Sequence, residues 1–211
     1  MVMDDEDDGP AMGLRERKKL ETRDALSAAA IGLIVERGWS AVTIEDIAAA
    51  ANVSVRTFRN YFSGKAEAVA ARHVDRMRRV ADGLRARPAG EPLWDAVRAA
   101  VQEQFAAAPQ SGDGAAARRR ADGVRLLLTE PALAGEMAKA HAAAEAELAA
   151  AIAERTGTDT DRDLYPGLTA AVLGAAIGAA VAHSLRGDRP VPADAVLRDA
   201  LDRLTAGLPT P

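Results

Sequence analysis

The chain has no cysteine, so disulfides, thiolate metal sites and cysteine nucleophiles are excluded. It has only three histidines. Neither a metal-ligand cluster nor a nucleophile–base pair is apparent, so no enzyme, metal or cofactor is expected. Aromatic residues make up 3% of the chain. No segment alternates as a strand would, and there is no internal repeat, P-loop or G-x-G-x-x-G. The N-terminus is rich in Asp rather than basic and then apolar, so it does not read as a secretory signal. A cytoplasmic location is expected, and a cysteine-free chain is compatible with its reducing conditions.

What is present is helical periodicity. With 211 residues there is enough chain for one or two domains with a real core. The pattern predicts an all-α protein of about nine helices. The net charge of −4 is unevenly spread. Residues 1–13 carry five carboxylates and no base, and are expected to form a disordered acidic tail. Residues 14–87 hold 15 Lys and Arg against 9 Asp and Glu, whereas residues 88–211 hold 12 against 17. The basic excess is therefore local, as a phosphate footprint requires.

The stretch 43–62, T-I-E-D-I-A-A-A-A-N-V-S-V-R-T-F-R-N-Y-F, lies inside that basic region. Thr43 and Asp46 have the spacing of a capping box, with Asp in place of Glu. Ile44, Ile47, Ala48 and Ala51 share one helical face. Asn52 tolerates a left-handed backbone and so can end that helix sharply. Ser54 is a second N-cap, for a helix over 55–61 whose inner side carries Val53, Phe58 and Phe62. Its outer side offers Arg56, Thr57, Arg59, Asn60 and Tyr61. Arg pairs with guanine edges and Asn with adenine edges, while Thr and Tyr donate to phosphates. This is the content of a DNA-reading helix-turn-helix, the alternative being a solvated helix face in an ordinary bundle.

The pattern extends over residues 23–65: an A-A-x-x-L-x-x-E-x-G-like run at 29–38, then T-I-E-D-I-A, N-V-S-V-R-T-F and Y-F-S-G-K ending at Lys65. With them the chain resembles the DNA-binding domain of the TetR family of transcriptional regulators. Asn52 stands where the family usually has Gly, Arg56 where it often has Gly or Pro, and Arg59 where it is often aromatic. The resemblance implies DNA contacts at Thr43, Ser54, Arg56, Thr57, Arg59, Asn60, Tyr61 and Lys65, with Lys65 near phosphate. A helix over 14–37 begins with Arg15, Arg17, Lys18 and Lys19. Positive charge there opposes the helix dipole unless an external anion offsets it. Ser63 is expected to cap a fourth helix over 65–87. Along it Arg72, Arg76 and Arg79 share a face, read as solvated.

The Pro-Gly stretch 88–92 marks the expected boundary. The division is then a tail at 1–13, a reading head at 14–64, a connecting helix at 65–87 and a second domain at 88–211. Helices are predicted at 93–108, 116–129, 131–155, 164–185 and 193–208. The segment 164–185 is nearly long enough to span a bilayer. It is Ala- and Gly-rich, has no aromatic belt and contains His183, so it is read as a buried helix and no membrane partner is expected.

The family resemblance implies that this second domain binds a small-molecule effector and forms a homodimer through its last two helices. The pocket candidates are Trp94, Phe105, Leu127, Met137, His141 and His183. The dimer candidates are Leu168, Val172, Gly174, Gly178, Val181, Leu197, Leu201 and Leu204. The runs E-P-A-L, A-E-A-E-L-A-A-A-I-A-E-R-T-G and D-L-Y-P-G-L-T-A-A are similar to a TetR subfamily associated with acyl-CoA-like ligands, which includes regulators of mycofactocin clusters. That would bring Arg118, Arg119 and Arg120 to CoA phosphates. The function expected is a ligand-responsive regulator, a repressor on a palindromic double-stranded operator. The alternatives are an efflux or antibiotic-responsive regulator with a drug-like ligand or, further off, a small helical enzyme.

Overall fold

Capping and apolar spacing set where each helix begins and ends. The computed structural model describes residues 13–106, 114–186 and 191–209. Among these there are nine α-helices and no strand. They are α1 (Leu14–Arg37), α2 (Ile44–Ala50), α3 (Val55–Tyr61), α4 (Lys65–Ala86), α5 (Leu93–Phe105), α6 (Gly114–Leu128), α7 (Pro131–Thr156), α8 (Leu164–Ser184) and α9 (Ala193–Thr205). The all-α expectation holds. The acidic residues 1–12, most of the loop expected at 109–114 and residues 187–190 lie outside the described residues.

Gly38 ends α1 at φ 87°, a conformation open to glycine. The chain then makes a 3-10 turn over Trp39–Ala41 that periodicity did not predict. The start of α4 also differs from expectation. Its N-cap is Gly64, and no side chain caps it. Ser63 instead gives its backbone N–H and its hydroxyl to Glu67, both at 2.7 Å.

There are two apolar cores, and α4 runs through both. The first joins Leu26, Ala30 and Ile34 of α1 to Ile47, Phe58 and Phe62, with Ala68–Ala71 of α4 as its floor. Leu127 of α6 with Leu133 and Ala140 of α7 complete it. The second joins Met77, Val80 and Leu84 of α4 to Val97 and Val101 of α5, Leu148 and Ile152 of α7, Leu173 and Ile177 of α8, and Leu197 and Leu201 of α9. The head therefore shares its core with the second domain. The 88–92 linker is also pinned. Arg155 of α7 donates to the carbonyl oxygens of Pro88 and Glu91, both at 2.7 Å, and of Arg87 at 3.3 Å.

By length and composition α8 alone among the described helices could cross a membrane. Its Ala170, Leu173, Ile177 and Ala180 are buried in the second core, between α7 and α9. The other side, with Leu164, Leu168, Gly178 and Ala179, is exposed.

Candidate nucleic-acid interface

The starts of α2 and α3 are each set by side-chain bonds that span three residues. Asp46 donates its backbone N–H to the Thr43 hydroxyl at 3.1 Å. The Asp46 carboxylate accepts in return from the Thr43 hydroxyl at 2.6 Å and the Thr43 N–H at 2.9 Å. These bonds, the hydroxyl first, hold the Asp46 carboxyl below its usual range. The capping box read from the sequence is thus complete. Its consequence was missed: the Thr43 hydroxyl proton is already committed to Asp46, so it is not free for a phosphate.

Asn52 has φ 56° and ends α2 as expected. Ser54 accepts the Thr57 N–H at 3.0 Å, and the two hydroxyls lie 2.8 Å apart. Beneath them Phe58 and Phe62 are buried, their rings tilted at 54° with centroids 5.8 Å apart. Arg23 of α1 lies over the Phe62 ring at 4.8 Å. The orientation of α3 is therefore fixed from below by aromatic packing and from its N-terminus by the cap.

On the outer side Arg56, Arg59 and Asn60 are exposed, and Thr57 and Tyr61 are half-buried. Among the described residues neither Arg56 nor Arg59 has an ion-pair partner. Hydrated, unpaired donors on one short rigid helix can exchange water for base edges and phosphate oxygens without first breaking a protein contact. The basic start of α1 is also exposed, at Arg15, Arg17, Lys18 and Lys19. No side chain caps that end.

Lys65 has a role the sequence did not reveal. Its ammonium donates to the carbonyl oxygens of Trp39 at 2.6 Å and Val42 at 2.8 Å. It also lies 4.7 Å from the centre of the Trp39 ring. Two of its three donors are thus used to tie α4 to the 3-10 turn before α2. The solvated reading of α4's arginines also needs correction. Arg79 bonds Gln104 at 3.2 Å and pairs with Asp24 at 3.7 Å. Arg76 lies 4.6 Å over the Phe105 ring.

The six pocket candidates are spread over both cores and the surface. Trp94 and Phe105 pack on the second core, whereas Leu127 and Met137 belong to the first. His141 and His183 are exposed. A cleft of about 1380 Å³ opens instead between the C-terminal half of α1, the end of α2 and α6. Of the six, only Leu127 lines it. Arg118 and Arg119 are exposed, and the side chain of Arg120 lies outside the described residues.

The dimer candidates divide as well. Leu168 is 52% exposed and Gly178 is exposed, and Val172, Val181 and Leu204 are half-buried. Leu197 and Leu201 are each 1% exposed, inside the chain's own second core. That corrects their placement, because the apolar stripe of α9 faces α5 and α8. A Cβ on Gly174 would stand 3.9 Å from the Glu145 carboxylate of α7, so that glycine also faces inward.

Residues 26–71 match the family model described as bacterial regulatory proteins, tetR family. Residues 91–209 match the model described as the MftR C-terminal domain. The HTH-type transcriptional regulator TcmR of Streptomyces glaucescens is 35% identical over 200 residues, which is 91% of this chain and 86% of TcmR. The fatty acid degradation regulator FadR of Bacillus halodurans has the same fold, with a TM-score of 0.56 at 19% identity over 88% of this chain and 99% of FadR. NalD of Pseudomonas aeruginosa, the secondary repressor of the MexAB-OprM multidrug efflux pump, is similar with a TM-score of 0.50 at 20% identity, covering 89% of this chain and 97% of NalD.

Proposed function

This chain belongs to the TetR family of transcriptional regulators, and we propose that it is a repressor that grips a palindromic operator as a homodimer and is released by a small effector. The single observation that carries the reading is the outer side of α3. Arg56, Arg59 and Asn60 stand exposed, and unpaired among the described residues, on a helix whose angle is locked by its cap and by Phe58. In this reading they enter the major groove, with Thr57 and Tyr61 at its edge. Ser54 stays with its cap, Thr43 acts once its Asp46 bond rearranges, and Lys65 offers phosphate its third donor.

One recognition helix reads only a few base pairs, so two copies related by a two-fold axis are required for a usable address. The exposed apolar side of α8, with Leu164, Leu168 and Gly178, supports a dimer seam there, with Leu204 at its margin. The effector class is an elongated apolar molecule with a polar end, such as an acyl-CoA. The MftR-type C-terminal domain and the Ala- and Leu-rich helices support it. The cellular setting of such a regulator is the cytoplasm, where the DNA is.

A mobility-shift titration on the intergenic DNA beside the protein's own gene tests the reading. Arg59→Ala is expected to cost about 1–3 kcal/mol on the specific site and to relax its sequence preference. Non-specific DNA, held through phosphates, should lose far less. Unchanged specific affinity in Arg59→Ala would remove α3 as the reading helix.

A further inference from the structure

His73 and Arg76 stand one turn apart on α4, and each meets a different helix. The His73 ring meets His141 of α7 edge-on, with centroids 4.5 Å apart and planes at 86°. The Arg76 guanidinium lies over the ring of Phe105 of α5 at 4.6 Å. Three helices thus bring two imidazoles and a guanidinium together, with an aromatic floor.

Among the described residues, Asp75, Glu147 and Asp24 are each engaged by other arginines. Asp75 faces Arg23 at 3.5 Å and Arg78 at 3.6 Å. Glu147 takes Arg78 at 3.2 Å, and Asp24 takes Arg79. Glu145 lies beside Gly174 of α8. Among the described residues Arg76 has no carboxylate or carbonyl partner. Its neighbours in charge are Arg72 and Arg79, which together with burial push its pKa down. His73 is pushed down to about 4 by burial first, then by His141 and Arg76. At neutral pH it is therefore an uncharged ring with one N–H to offer.

A half-buried guanidinium without a counter-charge is costly, because water is removed and nothing anionic replaces it. The face of Phe105 offsets part of that cost, and among the described residues no acceptor is bonded to the N–H groups of Arg76. We propose that the Arg76–His73–His141 cluster between α4, α5 and α7 binds the anionic head group, a carboxylate or a phosphate, of the effector. Arg76 supplies a bidentate fork and the two imidazoles supply N–H donors. The apolar tail then runs along Phe105 toward the second core. The inference names the polar end of the effector and rests on the ligand-released reading for its regulatory consequence, though not for binding itself.

The test is calorimetric titration of the full-length protein with decanoate, decyl phosphate and uncharged methyl decanoate. Decanoate or decyl phosphate, whichever head group the site prefers, should bind at least about tenfold more tightly than the ester. Arg76→Gln should erase that preference while leaving the ester's weak binding in place. Arg85→Gln, which alters a surface arginine paired with Glu154 at 2.8 Å, should change nothing. A second readout separates a binding role from a structural one. Removing a half-buried cation that has no counter-charge among the described residues should raise the melting temperature of the unliganded protein, whereas loss of a structural contact would lower it. Equal binding of acid, phosphate and ester, or an Arg76→Gln protein that keeps the preference, overturns the site. A lowered melting temperature with all three ligands weakened alike also overturns it. If the anion binds through Arg76 and the operator complex survives it, the site stands and the ligand-released reading falls.

Discussion

The helix-turn-helix of α2 and α3 and the seam between α1 and α6 each fix how two helices lie, by opposite means. In the helix-turn-helix, which is the turn meant below, side chains are added: Thr43 and Asp46 cap α2, Ser54 caps α3, and Phe58 fills the space beneath. In the seam, a side chain is taken away. A Cβ on Gly123 of α6 would overlap the carbonyl oxygen and side chain of Val35 in α1. The difference decides what each can transmit. Bonds within the turn span three residues and travel with the head, so the head moves as one body. The seam depends only on the separation of two helices distant in sequence, so a displacement of α6 is felt by α1. The carbonyl of Leu185, beyond α8, accepts from Arg125 of α6, which links α6 to the second domain.

The largest expected effect tests whether the head is a unit of its own. Phe58→Ala removes a fully buried ring from a core that also contains Leu127 and Leu133. It should cost about 3–5 kcal/mol of unfolding free energy, read by denaturant titration. Because α6 and α7 share that core, far-UV helicity should be lost across the whole chain in one transition. Separate melting of the head alone would break the comparison, since the seam would then couple nothing.

A smaller effect is expected at the seam. Gly123→Ala must push α6 from α1 or shift Val35, and overpacking of this kind costs about 1–3 kcal/mol. The more telling readout is the operator affinity. If the seam sets the attitude of the head, affinity should fall in Gly123→Ala although no DNA-facing residue has changed. Wild-type affinity combined with a lowered melting temperature would make Gly123 a packing residue only.

The same contrast explains what could be read from the sequence. Asn52, Ser54 and the Thr43–Asp46 box were legible because each partner lies within four residues. Helix spans were legible because apolar spacing reports on one helix at a time. Lys65 was not, since its carbonyl partners lie 23 and 26 residues back and only the fold brings them to it. Arg76 and Arg79 read as solvated because Phe105 and Asp24 are on other helices. Leu197 and Leu201 have the right spacing for an interface, but spacing cannot say whether the stripe faces a second copy or the chain's own α5 and α8. The α1–α6 cleft left no signal in either helix alone.

The smallest expected effect lies at the cap of α2 and tests the claim that the bonds of the helix-turn-helix are local. Asp46 is held below its usual pKa of 3.8 by the Thr43 hydroxyl, then the Thr43 N–H, with a lesser contribution from Arg37. A carboxyl whose folded pKa is depressed contributes stability that is full above its unfolded pKa. That contribution is lost as the pH falls through the folded value. The group lies at the surface and is screened by water, so the contribution is minor and concerns α2 rather than the core. Asp46→Asn keeps the shape and one acceptor oxygen but removes the titration. The difference in melting temperature between wild type and Asp46→Asn should therefore be constant at neutral pH and shrink on acidification below the unfolded value. Raising the salt concentration should change it little, because hydrogen bonds to Thr43 outweigh the charge of Arg37. A difference that grows on acidification would reverse the sign of the argument. A difference abolished by salt at neutral pH would make Arg37, nine residues back at the end of α1, the true partner, and the box would no longer be a local device.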